Sequence, residues 1–323
     1  MSCTLCSCFA TDLMNLVELK KATGYSENTY LSKAKYFDDF CSVNYPDDDV
    51  ITEAIVVHWI KYIHENQPSA LHEQISFLRT FGKYQASIGK GAFVIQEQYS
   101  SGKSIFVPYI MTDKEIEELF DALDKLWPKD AFKQLQMSTY FRLTYTCGLR
   151  PREGRELLRK DVDVNNAEIR IVNTKWHKSR TIVMSDDMNG LMKKYLSVRD
   201  MRFDFNTYAF PKPQGGPYTA AAIMNSLRRA FTKSKPDIDK DLLPAIRVYD
   251  LRHRFATKVL HNWLDDGTDL NARLPYLQTY MGHKELNATA YYIHLLPENL
   301  VRSSGVDWEK LNSLLPEVEL WEK

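Results

Sequence analysis

The sequence lacks three features that would narrow its function at once: a long apolar run, a net charge and a regular cysteine pattern. No apolar stretch approaches the ~20 residues needed to cross a bilayer, so we expect no transmembrane helix. The 42 Lys and Arg residues are balanced by 42 Asp and Glu residues, which counts against a uniformly basic nucleic-acid binder. The five cysteines are odd in number and without the spacing of a disulfide scaffold, so we expect a reducing compartment.

The first ten residues lack the basic residues of a secretory signal. They contain Cys3, Cys6 and Cys8 in a CxxCxC pattern that suits a soft metal. No second Cys or His pair follows at the spacing of a zinc finger, so we predict no metal site. Together these features predict a cytoplasmic protein.

Although the net charge is zero, the charged residues are unevenly distributed along the chain. Acidic residues gather in 38–49 and 113–124, and basic residues in 142–160, 175–180 and 247–258. Because the local charge pattern sets the potential over a cleft, a basic face is compatible with zero net charge. Nucleic acid therefore stays among the candidate partners.

The hydrophobic periodicity predicts a mostly α-helical chain of two domains. Four amphipathic helices in residues 1–88 predict a small helical bundle. Gly and Pro interrupt the pattern over 89–111, which we interpret as a linker. A second domain, 112–323, opens with the capping-box residues Thr112 and Glu115.

Within the second domain the spacing of apolar residues changes at 168–173 and 180–184, from a helical period to the alternation of a β-strand. These two segments predict a small antiparallel β-sheet. Further helices are expected at 130–146, 187–199, 220–233, 249–263 and 274–281. Pro275 would fall in the first turn of the last helix, where proline is tolerated.

Two arginines lie at predicted helix junctions, from which a side chain can enter a cleft. Arg150 follows the helix stop at Gly148, and Arg252 lies near the start of the 249–263 helix. Breaking a phosphodiester with a protein hydroxyl needs cationic donors, a proton donor for the leaving oxygen and an aligned nucleophile. Arginine suits the first task because its planar fork meets two phosphate oxygens.

Four segments occur in a fixed order along the chain. They are Cys147–Glu153, the turn at Lys175, Tyr249–Thr257, and Gly282-His283 followed by Thr289 and Tyr292. This ordered set resembles the motifs of the tyrosine recombinases, the phage integrase family, over roughly residues 112–296. The N-terminal helices are similar in character to that family's core-binding domain. The resemblance implies that 112–323 is a catalytic domain.

The resemblance implies that Tyr292 is the nucleophile and forms a covalent 3′-phosphotyrosine. Arg150 and Arg252 would hold the scissile phosphate, and Lys175 would protonate the leaving 5′-oxygen. The neighbouring Tyr291 is expected to be a packing residue. Such a linkage keeps the energy of the phosphodiester, so no ATP, metal or other cofactor is expected. The absence of a Walker loop and of an HExxH motif agrees with this.

The resemblance further implies that His283 donates a hydrogen bond to the phosphate and that Glu153 supports the first arginine. One position departs from the family pattern, because Tyr249 stands where a histidine is usual. Histidine exchanges protons near neutral pH, whereas a tyrosine hydroxyl stays protonated there. We hypothesise that His253 or solvent takes the proton of the nucleophile, or that cleavage is slower.

Additional DNA contacts are predicted on the 220–233 helix, whose polar face carries Asn225, Arg228 and Arg229. An ordinary amphipathic surface helix would give the same pattern. Lys178, Arg180 and Arg254 are further candidate contacts, and Lys178 is also the alternative to Lys175 as the hairpin lysine.

The predicted activity is site-specific recombination of double-stranded DNA for integration or excision of a mobile element. The resemblance implies a homotetramer on two duplexes, compatible with an accessory DNA-bending or directionality protein, in a bacterial or phage-encoded, nucleoid-associated setting. Two alternatives remain open: a topoisomerase-like enzyme that only relaxes DNA, and a non-catalytic DNA-binding protein of the same fold.

Overall fold

A computed structural model of the protein describes residues 5–96, 108–172 and 179–296. The chain divides into two compact units, Met1–Phe106 and Val107–Lys323. The division falls inside the segment predicted as a linker, 89–111, while the functional limits of the two domains stay predictions.

The N-terminal unit is a bundle of four helices. They are α1 (Ala10–Ala22), α2 (Glu27–Asn44), α3 (Glu53–Asn66) and α4 (Leu71–Ser87). The core is rich in aromatic rings, with Phe37 packed edge-on against both Trp59 and Phe81. The side chain of Thr52 accepts a hydrogen bond from the backbone N–H of Ile55 and so caps α3.

The segment before α1 is fixed by a buried carboxylate. Asp38 of α2 accepts hydrogen bonds from the backbone N–H groups of Cys6 and Ser7. The thiols of Cys6 and Cys8 are exposed, and Cys3 lies outside the described residues. Across residues 5–96, 108–172 and 179–296, no group of three or more His, Cys, Asp or Glu side chains is arranged to hold a metal ion.

The C-terminal unit combines eight helices and three strands among its described residues. The helices are α5 (Asp113–Leu123), α6 (Ala131–Thr146), α7 (Pro151–Glu156), α8 (Asp186–Arg199), α9 (Ala220–Ser234), α10 (Val248–Asp265), α11 (Leu270–Met281) and α12 (Asn287–Ala290). The strands are β1 (Val162–Asp163), β2 (Glu168–Ile171) and β3 (Arg180–Val183). No helix in the described part of the chain has the length and apolar character needed to cross a membrane.

The strands form one antiparallel sheet in the order β1-β2-β3. Ile171 at the end of β2 pairs with Arg180 at the start of β3. Ile169, Ile171 and Ile182 point into the core shared with the helices. The predicted fold class, mostly helical with a small antiparallel sheet, is therefore confirmed, and β1 is an additional short strand.

Local signals for helix ends are confirmed by hydrogen bonds. Thr112 and Glu115 cap α5 reciprocally, and the hydroxyl of Thr219 accepts from the N–H of Ala222 at the start of α9. The prediction for Pro275 was wrong, because α11 begins at Leu270 and the proline lies inside the helix. The helix starts early because Asp269 caps it, accepting from the N–H of Asn271.

Candidate active site

Arg150 is held at the junction between α6 and α7. It is the N-cap residue of α7, and Pro151 occupies the first helical position, where a missing N–H costs nothing. Glu153, one turn later, accepts from the backbone N–H of Arg150 at 2.9 Å and from its Nη1 at 2.7 Å. The other terminal nitrogen, Nη2, donates to the carbonyl oxygen of Gly282 at 2.6 Å. The side chain of Arg150 keeps 24% exposure, so it is fixed yet still reachable.

Glu153 is shared between two arginines. Arg180, at the start of β3, donates from Nη1 and Nη2 to the two carboxylate oxygens and from Nε to the carbonyl of Tyr280. Burial favours a raised pKa for Glu153, but the hydrogen bonds and charges of Arg180 and Arg150 outweigh it and hold the pKa at about 2. Arg180 was predicted to contact DNA, and here all three of its nitrogens donate within the protein.

Arg252 of α10 is fully buried and is held without a carboxylate. Its Nη1 donates to the carbonyl of Gly148 at 2.6 Å, and its Nη2 to the carbonyl of Met281 at 2.7 Å. The same Nη2 lies 2.9 Å from Nε2 of His283. Among the described residues no Asp or Glu forms an ion pair with Arg252, and its Nε has no hydrogen-bond partner. Burial lowers the pKa of this guanidinium, although arginine stays charged.

Two glycines supply carbonyl groups to the two arginines. Gly148 after α6 and Gly282 after α11 both have positive φ, +57° and +65°, in the left-handed region that favours glycine. A Cβ at Gly148 would overlap the ring of Phe255, and one at Gly282 would lie 2.9 Å from Nη1 of Arg180. The left-handed backbone and these close neighbours therefore both favour glycine at the two positions.

His283 directly follows the Gly282 turn and is contacted on both ring nitrogens. Nε2 faces Arg252, and Nδ1 lies 2.8 Å from Oγ1 of Thr289, a fully buried residue of α12. Burial, followed by the positive charges of Arg252, Arg150 and Arg180, lowers the pKa of His283 to about 3. The ring is therefore neutral in this state.

Tyr292 lies in the short 3₁₀ turn after α12 and is 2% exposed. Its ring stacks on that of His283, with 5.9 Å between centroids, and approaches that of His253 at 5.5 Å. Burial raises the pKa of Tyr292 to about 12, although Arg252 beside it opposes the shift. A neutral phenol thus lies beside a buried guanidinium, while the neighbouring Tyr291 is 41% exposed.

Tyr249 and His253 occupy successive turns of α10 on the same side. Their ring centroids are 4.9 Å apart, and Tyr249 is half-buried over the guanidinium of Arg252. His253 is 8% exposed, and its Nδ1 has no hydrogen-bond partner among the described residues. Burial, with the charges of Arg247 and Arg252, lowers the pKa of His253 to about 4, so its ring is neutral and able to accept a proton.

A family model described as the phage integrase family matches residues 110–299, more than half of the chain. The chain belongs to this family of tyrosine recombinases. It is similar to a putative integrase/recombinase, y4rB, of Sinorhizobium fredii, 26% identical over 312 residues that cover 90% of this chain and 94% of that protein. It is also 25% identical over 301 residues to the tyrosine recombinase XerC of Halalkalibacterium halodurans, covering 88% and 92% of the two chains.

Solved structures of tyrosine recombinases share the fold of this integrase-family chain. The XerH recombinase bound to its difH substrate matches with a TM-score of 0.64 and 19% identity, covering 88% of this chain and 80% of that one. The Tn1549 transposon integrase in complex with transposon end DNA matches with a TM-score of 0.64 and 17% identity, covering 93% and 99%.

The other site residues predicted for this integrase-family chain fall into three groups. Asn225, Arg228 and Arg229 are exposed on α9, opposite its buried apolar stripe. Arg254 is buried, and its Nη2 is paired with Asp113 of α5 at 2.5 Å, so it is not on an open face. Lys175 and Lys178, in the connection between β2 and β3, lie outside the described residues.

Proposed function

We propose that this chain is a site-specific DNA recombinase that cleaves strands through a covalent 3′-phosphotyrosine at Tyr292. The observation that carries the proposal is the buried charge of Arg252, which has no ion-pair partner among the described residues. A buried cation without a counter-charge is costly, and a phosphate oxygen would supply the missing negative charge. Arg150 and the Tyr292 phenol border the same position.

In the proposed step, Oη of Tyr292 attacks phosphorus while Arg150 and Arg252 neutralise the nonbridging oxygens. The phenolic proton passes to His253, and the departing 5′-oxygen takes a proton from Lys175. One P–O bond forms and one breaks, so the linkage keeps its energy. A 5′-hydroxyl of another strand then reverses the reaction and releases Tyr292. Because Tyr292 and both arginines come from one chain, cleavage would occur within a single subunit's site.

Double-stranded DNA is the proposed partner. Structural neighbours of the chain are recombinases solved with DNA. We propose that the exposed face of α9, with Arg228 and Arg229, contacts the duplex, and that the N-terminal bundle is a second DNA-binding domain. Assembly as a homotetramer and a role in moving a mobile element are parts of the same proposal.

A nicked suicide substrate tests the proposal, because the cleaved end diffuses away and traps the covalent intermediate. DNA flanking the gene supplies the candidate site. We expect wild-type protein to form an adduct on denaturing gels and Tyr292→Phe to form none. Tyr291→Phe is the matched control and should behave as wild type. An adduct retained by Tyr292→Phe would move the nucleophile elsewhere.

Topoisomerase-like relaxation uses the same intermediate and is the second candidate. Recombination between two sites on one supercoiled plasmid gives new restriction fragments, whereas relaxation alone gives only new topoisomers. Relaxed circles without recombinant fragments would favour the topoisomerase. Tight DNA binding without any adduct, at a site chosen by binding selection, would favour a non-catalytic binding protein.

A further inference from the structure

The imidazole of His283 lies between two partners with different hydrogen-bonding properties. One is a guanidinium, which only donates, and the other is a hydroxyl, which both donates and accepts. Nε2 lies 2.9 Å from Nη2 of Arg252, and Nδ1 lies 2.8 Å from Oγ1 of Thr289. Both distances are those of hydrogen bonds. Both ring nitrogens are therefore occupied within the protein.

The chemistry of these partners determines which nitrogen carries the proton. A guanidinium only donates hydrogen bonds, so Nε2 must accept from Arg252. The proton of the neutral ring is then on Nδ1, and Oγ1 of Thr289 accepts it. In this state His283 has no N–H to offer to a phosphate oxygen. The role that the family resemblance implies for it, donation of a hydrogen bond to the phosphate, requires an N–H on Nε2, the ring nitrogen beside Arg252.

We propose that Thr289 is a positioning residue that lets His283 change tautomer when a phosphate enters the site. This inference rests on the proposed function. A phosphate oxygen would accept the N–H of Arg252 that now points at Nε2. By exchange with water, one proton would leave Nδ1 and one would reach Nε2, so the ring stays neutral. The hydroxyl of Thr289 would then turn from acceptor to donor and keep its bond to Nδ1.

A hydroxyl fits both states of this contact. A serine or threonine hydroxyl both donates and accepts, whereas a carboxylate only accepts and a methyl group does neither. Thr289 is fully buried in α12, so a missing hydroxyl is not readily replaced by solvent. Valine matches threonine in shape and serine retains the hydroxyl, which makes the two variants a matched pair.

The tautomer is measurable without DNA, by long-range ¹H–¹⁵N correlation spectra of protein labelled on its eight histidines. The His283→Gln spectrum identifies the His283 signals. We expect wild type and Thr289→Ser to show a neutral ring protonated at Nδ1, and Thr289→Val to lose the protected Nδ1 proton. A wild-type ring protonated at Nε2, or an unchanged spectrum in Thr289→Val, would overturn the assignment.

The catalytic consequence is measured on the suicide substrate under single-turnover conditions. We expect Thr289→Val to cleave about tenfold more slowly or worse at unchanged DNA affinity, and Thr289→Ser to restore the rate to within about threefold of wild type. Equal rates for wild type and Thr289→Val would overturn the positioning role. If wild type itself formed no adduct, the proposed function would fail, while the resting tautomer would still be decided by the spectra.

Discussion

The two arginines of the site are held in opposite ways. Arg150, at the start of α7, shares the carboxylate of Glu153 with Arg180, so two cations surround one anion. Arg252 in α10 is surrounded by carbonyl groups and rings, and no described carboxylate pairs with it. Arg150 is thus stabilised by a carboxylate, whereas Arg252 has no negatively charged partner among the described residues.

This difference indicates what each region contributes. A carboxylate held at a low pKa fixes the geometry of Arg150 before any ligand arrives. A buried guanidinium with only neutral partners gains most when an anion enters the site. In the proposed reaction, the side of α7 would therefore align the phosphate, and the side of α10 would supply most of its electrostatic stabilisation.

Removing the charge of Arg252 should slow DNA cleavage more than any other substitution that leaves Tyr292 in place. We expect Arg252→Met to slow suicide-substrate cleavage by about 10²–10³-fold, as loss of a transition-state donor does. Its free energy of unfolding in urea should change little, because the removal of a buried charge without a counter-ion offsets the hydrogen bonds that the carbonyls of Gly148 and Met281 lose. Lys193→Met, an exposed position on α8, is the control for both measurements. A large loss of stability would instead make Arg252 a structural residue.

Neutralising Glu153 should have its main effect on stability. The pKa of Glu153 is lowered from 4.5 to about 2, which corresponds to about 3 kcal/mol of folding stability. Because the folded-state pKa is the lower one, this contribution is present above about pH 4.5 and is lost as the pH falls toward 2. We expect Glu153→Gln to lose about that much stability near pH 7 in urea unfolding. The variant should also lack the corresponding acid-induced loss, and Glu156→Gln, an exposed pair on the same helix, is the control.

The structure confirms the predicted helix caps and the predicted glycine turn, which depend on local sequence. The caps at Thr112 and Thr219 and the glycine turn at Gly148 each depend on a few neighbouring residues, so their chemistry is visible in the chain. The predicted start of α11 was wrong because Pro275 was expected in the first turn of the helix. The helix instead begins at Leu270, after the capping residue Asp269. The ordered motifs identified the arginines, His283 and Tyr292, which lie close together.

Contacts distant in sequence could not be predicted. Arg180 is 27 residues from Glu153, and the carbonyl that holds Arg150 is 132 residues away. In the sequence Arg180 is one more cation beside a β-turn, and a DNA contact was the natural interpretation. Only the packing of α11 against β3 shows that its guanidinium is used inside the protein. Likewise, nothing local connects Thr289 with the protonation of His283.

If His253 is the base, as proposed, then substitutions at His253 and at Tyr249 should differ in their effects on cleavage. We expect His253→Gln to slow cleavage about tenfold to a hundredfold and Tyr249→Phe only a few-fold, because only the imidazole can take up a proton. The pKa of His253 is about 4, so its base form is lost as the pH falls toward 4, and the wild-type rate should fall there. Single-turnover rates between pH 4 and 8 measure both effects, with Tyr249→His as the complementary variant. Unchanged rates in both Tyr249 variants would leave that position without a chemical role.

The smallest expected effect lies outside both arginine regions, on the exposed face of α9. Each phosphate contact by a cation adds about one unit to the slope of log affinity against log salt, because it releases a counterion. We expect Arg229→Ala to reduce that slope by about one without changing the cleavage rate of bound DNA. Lys193→Ala, an exposed lysine of α8, should leave the slope unchanged. Equal slopes for Arg229→Ala and wild type would show that Arg229 makes no phosphate contact in the duplex interface.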